Sequence, residues 1–223
     1  MSVRVAFQGE LGAYSEAAIA QQFSEYEPIP CRTFREVLEK VRGGEADYGC
    51  LPVENSTTGI ITEAHALLRE FAQGICICAE VRLRIRHCLL GLPGSSAETI
   101  RVIVSHPQAL AQCREFLESL PVTVEDFYDT AGAARSVAQQ RDPTRAAIAS
   151  REAALRYHLV ILREGIESAP NNTTRFVVIQ RVLRDGVEAA RTSRMAPADS
   201  LESEPASLHD PVFLDRLLGV LRA

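Results

Sequence analysis

Tyr48-Gly49-Cys50-Leu51-Pro52-Val53-Glu54-Asn55-Ser56-Thr57-Thr58-Gly59 runs from an extended apolar segment straight into a loop of carboxylate, amide and hydroxyl side chains. A strand that empties into a polar loop points to an open α/β sheet, because ligands bind such sheets beyond the carboxyl ends of the strands. Upstream, residues 3–7 form an apolar run ending at Gln8-Gly9-Glu10-Leu11-Gly12, and Ser15 precedes Ala17, Ala18, Ile19 and Phe23 at helical spacing. Residues 28–31 read as extended and 34–42 as helical. Strands alternating with helices predict a parallel, helix-covered sheet.

Downstream, residues 75–90 are a long extended stretch that alternates Ile75 and Ile77 with Cys76 and Cys78 and carries charge at Glu80, Arg82, Arg84 and Arg86. A stretch of this length can cross between two sheets. After Gly91-Leu92-Pro93-Gly94-Ser95-Ser96 the alternation restarts with strands at 101–104, 122–128 and 146–149 and helices at 109–120, 131–140 and 152–157. This is a second α/β lobe. Residues 159–166, a polar loop and a strand over 175–182 close the ordered part. Beyond Leu183, residues 191–211 are rich in Ala, Ser, Pro and charge and read as linker, and 212–221 carry Phe213, Leu214, Leu217, Leu218 and Leu221 on one helical face.

The chain of 223 residues is 46% hydrophobic, enough for one large domain or two small lobes. Its 24 Lys plus Arg against 29 Asp plus Glu leave a net charge of −5, with no global basic field for nucleic acid or an anionic membrane. No apolar stretch approaches the roughly 18 residues of a membrane span, and residues 1–7 lack the apolar core of a signal peptide, so a cytoplasmic location is expected. Six scattered cysteines are read as reduced thiols. Cys76-x-Cys78 with His87 and Cys88 lacks the paired knuckles of a zinc site, so no metal is expected.

Five loops at strand ends, 8–15, 54–59, 105–112, 129–131 and 171–174, are rich in hydroxyls and amides and poor in strong bases. Such loops suit a carboxylate ligand held by neutral donors and helix N-termini. Each feature also has a plainer reading. Ser56, Thr57, Thr58, Ser105 and Thr130 are good helix caps, His106 is a loop histidine, and Gly9-x-x-Gly12 lacks the Gly-Lys-Ser/Thr of a phosphate loop. No Ser/His/Asp set is evident.

Taken in order, six segments resemble the prephenate dehydratase family. They are Gly9-Glu10-Leu11-Gly12-Ala13-Tyr14-Ser15, residues 49–59, Ile85-Arg86-His87-Cys88-Leu89, residues 105–113, Asp129-Thr130-Ala131-Gly132-Ala133-Ala134 and Asn172-Thr173-Thr174-Arg175-Phe176. The resemblance spans about residues 3–182. It implies two α/β lobes similar to type II periplasmic binding proteins, with the active site in the cleft between them. Residues 1–183 would be the catalytic domain, with lobe 1 at 1–80 plus 160–183 and lobe 2 at 81–159. Residues 184–223 would be linker and a short helix.

The implied reaction converts prephenate to phenylpyruvate, carbon dioxide and water in L-phenylalanine biosynthesis. It is a carbon–oxygen lyase step that needs no cofactor. By resemblance the catalytic hydroxyl is Thr174, and Asn55, Ser105 and Gln112 match the family's other polar positions. Ser56, Thr130, Thr173, Arg175 and Phe176 complete the expected substrate site. Arg175 reads equally as a fork for a substrate carboxylate and as an ion pair holding the lobes together. Phe176 packs under the ring or into the core.

The expected partner is the small-molecule substrate alone, in a homo-oligomer, dimer or tetramer. Most members of the family carry a C-terminal ACT domain that binds phenylalanine. Only about 40 residues follow Val182 here, fewer than the roughly 50 of a small domain. A complete ACT domain, and ordinary phenylalanine feedback with it, is therefore not expected. The alternatives are arogenate dehydratase, acting on the amino counterpart of prephenate, and a non-catalytic binder of the same two-lobed fold.

Overall fold

Val3–Gln8 (β1), Tyr26–Cys31 (β2) and Tyr48–Asn55 (β3) pair in parallel, with Tyr14–Gln22 (α1) and Phe34–Gly43 (α2) as the helices between them. The sequence sets the ends of α2. Thr33 accepts the Glu36 N–H, the Glu36 carboxylate reaches back to the Arg32 N–H at 2.8 Å, and Gly44 ends the helix in the left-handed region. Gly59–Ile60 (β4) folds back on β3, and Thr62–Glu70 (α3) leads to Ile75–Arg84 (β5). The computed structural model describes residues 2–182, so the linker and helix expected over 184–223 lie outside the described residues.

Cys88–Gly91 (β6) opens a second sheet. Val102–Ser105 (β7), Thr123–Asp126 (β8), Arg145–Ala149 (β9) and Val160–Glu164 (β10) complete it in the order β10-β6-β9-β7-β8. Pro107–Gln112 (α4), Arg114–Glu118 (α5), Thr130–Gln140 (α6) and Arg151–Tyr157 (α7) connect its strands. Thr173–Arg181 (β11) then returns to the first sheet, whose order is β2-β1-β3-β11-β5.

Both sheets are mixed rather than parallel. β11 runs antiparallel to β3 and β5, and β6 runs antiparallel to β9 and β10. The reason lies in where the chain crosses. Thr174 pairs with Asn55 at the end of β3, and Cys88 pairs with Ala149 at the end of β9. A chain arriving from the other lobe therefore enters each sheet at the end where the parallel strands finish, and must run against them.

The expected crossover in residues 75–90 is present, but it is confined to residues 85–87. β5 stays in the first sheet to Arg84, so lobe 2 does not begin at residue 81. β10, expected in lobe 1, pairs with β6, and the return crossing runs through 165–172. The half-exposed residues of β10 carry no periodic signal that would assign them to a sheet. The two crossings lie side by side. Ile85 N–H donates to Asn172 O at 2.8 Å, Gly165 N–H to His87 O at 3.0 Å, and His87 N–H to the Glu167 carboxylate at 2.9 Å.

Strand alternation sorts the core into layers. Val5, Phe7, Phe176 and Val178 meet Leu90, Ala147 and Ala149 of the second sheet in one cluster, together with Ile19, Ala133 and Val137 from the helices between. Ala6, Leu51, Val177 and Ile179 face α2 and α3 instead, and Leu89, Ile103 and Ile148 face α4. The lobes thus share a buried middle layer. Full burial of Phe7 and of Phe176 contributes about 1.5–3 kcal/mol each.

Gly12 is a point of close backbone contact between the lobes. It has φ +90°, a Cβ there would lie 2.9 Å from Ala153 Cα, and its carbonyl accepts from Ser150 Oγ at 2.6 Å. The motif that is not a phosphate loop is thus a close backbone approach. Gly12→Ala is expected to cost about 1–3 kcal/mol through strain and overpacking and to lower Tm by several degrees. A thermal melt checks this, and an unchanged Tm contradicts it.

Candidate active site

A cleft of about 560 Å³ opens between the sheets, lined by Asn55, Thr174 and Phe176 from the first and by His106, Gln108, Gln112, Asp129 and Thr130 from the second. Asn55 ends β3 and turns the chain back on itself. Its Oδ1 accepts from Thr57 N–H at 3.0 Å and Thr58 N–H at 3.2 Å, and from the Thr57 hydroxyl at 2.6 Å. Backbone N–H groups can only donate, so this end of the amide is oxygen and the other is nitrogen. Asn55 Nδ2 then donates to Thr174 Oγ1 at 2.9 Å and to Asn172 Oδ1 at 2.7 Å. All three side chains are buried, and Asn172 Nδ2 has no hydrogen-bond partner among the described residues.

The other expected site residues fall into two groups. Gln112, Thr130 and Phe176 line the cleft with Asn55 and Thr174. Thr130 is the first residue of α6 rather than its cap, a part taken by Asp129, which accepts the Gly132 N–H at 2.7 Å. Ser56, Thr173, Ser105 and Arg175 are not brought to the cleft. Ser56 and Thr173 clasp each other's backbones, with Thr173 N–H donating to Ser56 Oγ at 2.9 Å and Ser56 N–H to Thr173 O at 2.9 Å. Ser105 is fully buried and donates to Ile148 O at 2.5 Å, tying β7 to β9.

Arg175 alternates away from Thr174 and Phe176 along β11. Its guanidinium meets Glu54 of β3 at 3.0 Å and Glu80 of β5 at 3.3 Å. The ion-pair alternative is the one the geometry favours, although it joins three strands of one sheet and not the two lobes. Ser56, Thr57 and Thr58 are not helix caps either, since α3 is preceded by Ile61 with no side-chain cap.

Several cleft residues carry no site role in the sequence reading, although all but Arg32 lie in its loops or family segments. Arg32 follows directly on β2, lines the cleft and is exposed, and its guanidinium has no partner among the described residues. The strand-end rule that picked out the other loops applies to it equally. His106 caps α4 by accepting the Gln108 N–H at 3.2 Å, and Gln108 Nε2 donates across the cleft to Thr58 Oγ1 at 3.0 Å. His87 and Tyr14 also line the cleft, and burial pushes the His87 pKa down. Burial raises the Asp129 carboxyl, against the Gly132 N–H that lowers it. Burial likewise holds the Cys50, Cys78 and Cys113 thiols up at about 12, which makes them poor nucleophiles. Among the described residues no three His, Cys, Asp or Glu side chains gather as a metal site would require, and no helix is long and apolar enough to cross a membrane.

The sequence profile described as prephenate dehydratase matches residues 5–183. Arogenate dehydratase 1 of Petunia hybrida is 44% identical over 182 residues, which are 81% of this chain and 42% of that protein. A bifunctional N-acyl-homoserine lactone acylase/prephenate dehydratase of Komagataeibacter europaeus is 41% identical over 79% of this chain and 62% of its own length. Among solved structures, prephenate dehydratase from Arthrobacter aurescens in complex with L-Phe is 31% identical, with a TM-score of 0.73 over 81% of this chain and 60% of that one. The chain spans less than half the length of the plant relatives it matches. With the family profile covering most of its length, and with the two-sheet α/β architecture found in a solved prephenate dehydratase, this chain belongs to the prephenate dehydratase family.

Proposed function

We propose that this chain converts prephenate to phenylpyruvate in L-phenylalanine biosynthesis, with Thr174 as the catalytic hydroxyl. One observation carries the reading. Thr174 Oγ1 accepts from Asn55 Nδ2, so the single hydrogen of the hydroxyl is left to donate into the cleft that it lines.

Prephenate is a non-aromatic ring with a carboxylate at one end and a hydroxyl at the other. As the carboxylate departs as carbon dioxide, the electrons of the broken C–C bond enter the ring, the ring becomes aromatic and the C–O bond to the hydroxyl breaks. Negative charge builds on the departing oxygen, which takes a proton from solvent water and leaves as water, the solvent hydroxide being neutralised by the buffer. A threonine hydroxyl is too weak an acid to be a matched general acid at neutral pH, so Thr174 acts as a hydrogen-bond donor aimed at that oxygen. The drive lies in the aromatic product, and positioning supplies most of what the enzyme must add.

Arg32, in place of Arg175, is the group we assign to a substrate carboxylate, and Phe176 forms an apolar wall beside Thr174. A guanidinium at the cleft favours the dianion prephenate over arogenate, whose ammonium group offsets one carboxylate. Arogenate remains the second reading because the relatives include plant arogenate dehydratases. The family resemblance is also our ground for proposing a homo-oligomer, dimer or tetramer.

With purified protein and prephenate, Thr174→Ala is expected to lower kcat by about 10²–10³, as loss of a single charge-stabilising donor does elsewhere, with less effect on KM, and Thr174→Ser to recover part of the loss. A wild-type kcat in Thr174→Ala removes the assignment. Arg32→Ala should raise KM by about tenfold with kcat largely kept, whereas Arg175→Lys should lower Tm and leave KM near wild type. The reverse pattern would return the carboxylate to Arg175. Finally, kcat/KM on prephenate should exceed that on arogenate by about tenfold or more; the opposite ratio would make this an arogenate dehydratase.

A further inference from the structure

The hydrogen bonds that orient Asn55 do not stop at the loop that holds it. Gln112 Nε2 lies 3.1 Å from Thr57 Oγ1, Gln112 Oε1 lies 2.8 Å from His87 Nε2, and His87 Nδ1 lies 2.8 Å from the Tyr14 hydroxyl. These residues come from α1, from the crossing at residues 85–87, from α4 and from the loop after β3. Every donor along the path can be assigned from the two backbone N–H groups at its far end.

Thr57 N–H and Thr58 N–H make Asn55 Oδ1 an acceptor. The Thr57 hydroxyl, 2.6 Å from that oxygen, must give its only hydrogen there, which leaves its lone pairs for Gln112. The Gln112 atom facing Thr57 is therefore the nitrogen, and the one facing His87 is the oxygen. His87 must then carry a hydrogen on Nε2. His87 is 2% exposed, and burial holds its pKa below the ordinary value despite the Glu167 carboxylate nearby, so the ring is neutral and Nδ1 is bare. Tyr14 must donate to it. Arg86 O lies at 3.0 Å as a second acceptor for the same hydroxyl.

We propose that Tyr14, His87, Gln112 and Thr57 form a one-directional hydrogen-bond chain that orients Asn55 and through it the donor hydrogen of Thr174, with His87 locked as the Nε2–H tautomer. The idea rests on the reading of Thr174 as the catalytic hydroxyl. Tyr14, His87, Gln112 and Thr57 are positioning residues in it. Each bond in the chain polarises the next in the same sense, and the final hydrogen is the one offered to substrate. Because Gln112 belongs to the second lobe and Thr57 to the first, the chain is complete only at a lobe separation that keeps these two side chains in contact, and alignment of Thr174 is thereby tied to that separation.

The test uses the full chain. In the ¹⁵N spectrum of the imidazoles, assigned by difference with His87→Gln, His87 is expected to show a protonated, pyrrole-type Nε2 and a bare, pyridine-type Nδ1 at neutral pH. Thr57→Val breaks the chain at an exposed residue while keeping the backbone N–H that holds Asn55. It should lower kcat on prephenate by about three- to tenfold, the weight of one ordinary hydrogen bond, with KM within about twofold, and Thr57→Ser should restore it. A His87 protonated on Nδ1 overturns the chain. So does a wild-type kcat in Thr57→Val beside an inactive Thr174→Ala, a result that leaves Thr174 standing as the catalytic hydroxyl. An active Thr174→Ala overturns both.

Discussion

Two backbone N–H groups, those of Thr57 and Thr58, constrain everything that the site can do. Both point at Asn55 Oδ1, and an amide pinned at its oxygen has only its nitrogen to present on the other side. That nitrogen faces Thr174 because β3 and β11 are neighbours in register, with Asn55 opposite Thr174. A threonine hydroxyl can be donor or acceptor as its surroundings demand. Here the acceptor side is used, and a mild side chain is left with one directed hydrogen. The turn chemistry of a three-residue loop thus sets the polarity of a group on a strand more than a hundred residues away in sequence.

Bringing those strands together requires the chain to leave the first sheet and return. The paired crossings at 85–87 and 165–172 are bound to each other through backbone groups and the Glu167 carboxylate, and beside them the lobes share a buried apolar layer. Across the cleft the contacts are different in kind. Gln108 to Thr58, Gln112 to Thr57 and Tyr128 to Glu10 are hydrogen bonds between accessible side chains. Each is worth only about 0.5–1.5 kcal/mol net, because water can replace it. The architecture is therefore firm at the crossings and exchangeable at the mouth, which would suit the proposed substrate, a dianion admitted to the cleft and then shut off from water.

Much of this was legible in the sequence, and the misses have particular causes. The order of strands and helices follows from apolar runs and polar loops, and the crossover follows from the length of the extended stretch before Leu90. What an apolar run cannot reveal is its neighbour. The antiparallel seat of β11 between β3 and β5, and the pairing of β10 with β6, depend on where the chain re-enters a sheet. Asn55, Gln112 and Thr174 were found because motif and loop position agreed. For Arg175 the sequence leaves a carboxylate fork and an ion pair equally open, although a period of two already sets it on the opposite face from Thr174 and Phe176. Ser105 resembles a loop hydroxyl in sequence, but it is fully buried and spent on a carbonyl of β9. His87 stood within a recognised segment without a role, since only the fold reveals that Tyr14 and Gln112 lie on either side of its ring.

The chemistry asks for little beyond orientation, so the central claim is one of direction: the Asn55 amide nitrogen turns the Thr174 hydrogen toward substrate. Asn55→Asp tests this most directly, because an aspartate fits the same space and still accepts from Thr57 and Thr58 but presents an acceptor to Thr174. The measurement is kcat on prephenate, at a pH where the new carboxyl is ionised, for Asn55→Asp alone and combined with Thr174→Val. The account predicts that Asn55→Asp alone loses nearly all of kcat in folded protein, as Thr174 turns its hydrogen inward, and that adding Thr174→Val costs nothing further. An Asn55→Asp enzyme with near wild-type kcat would contradict it.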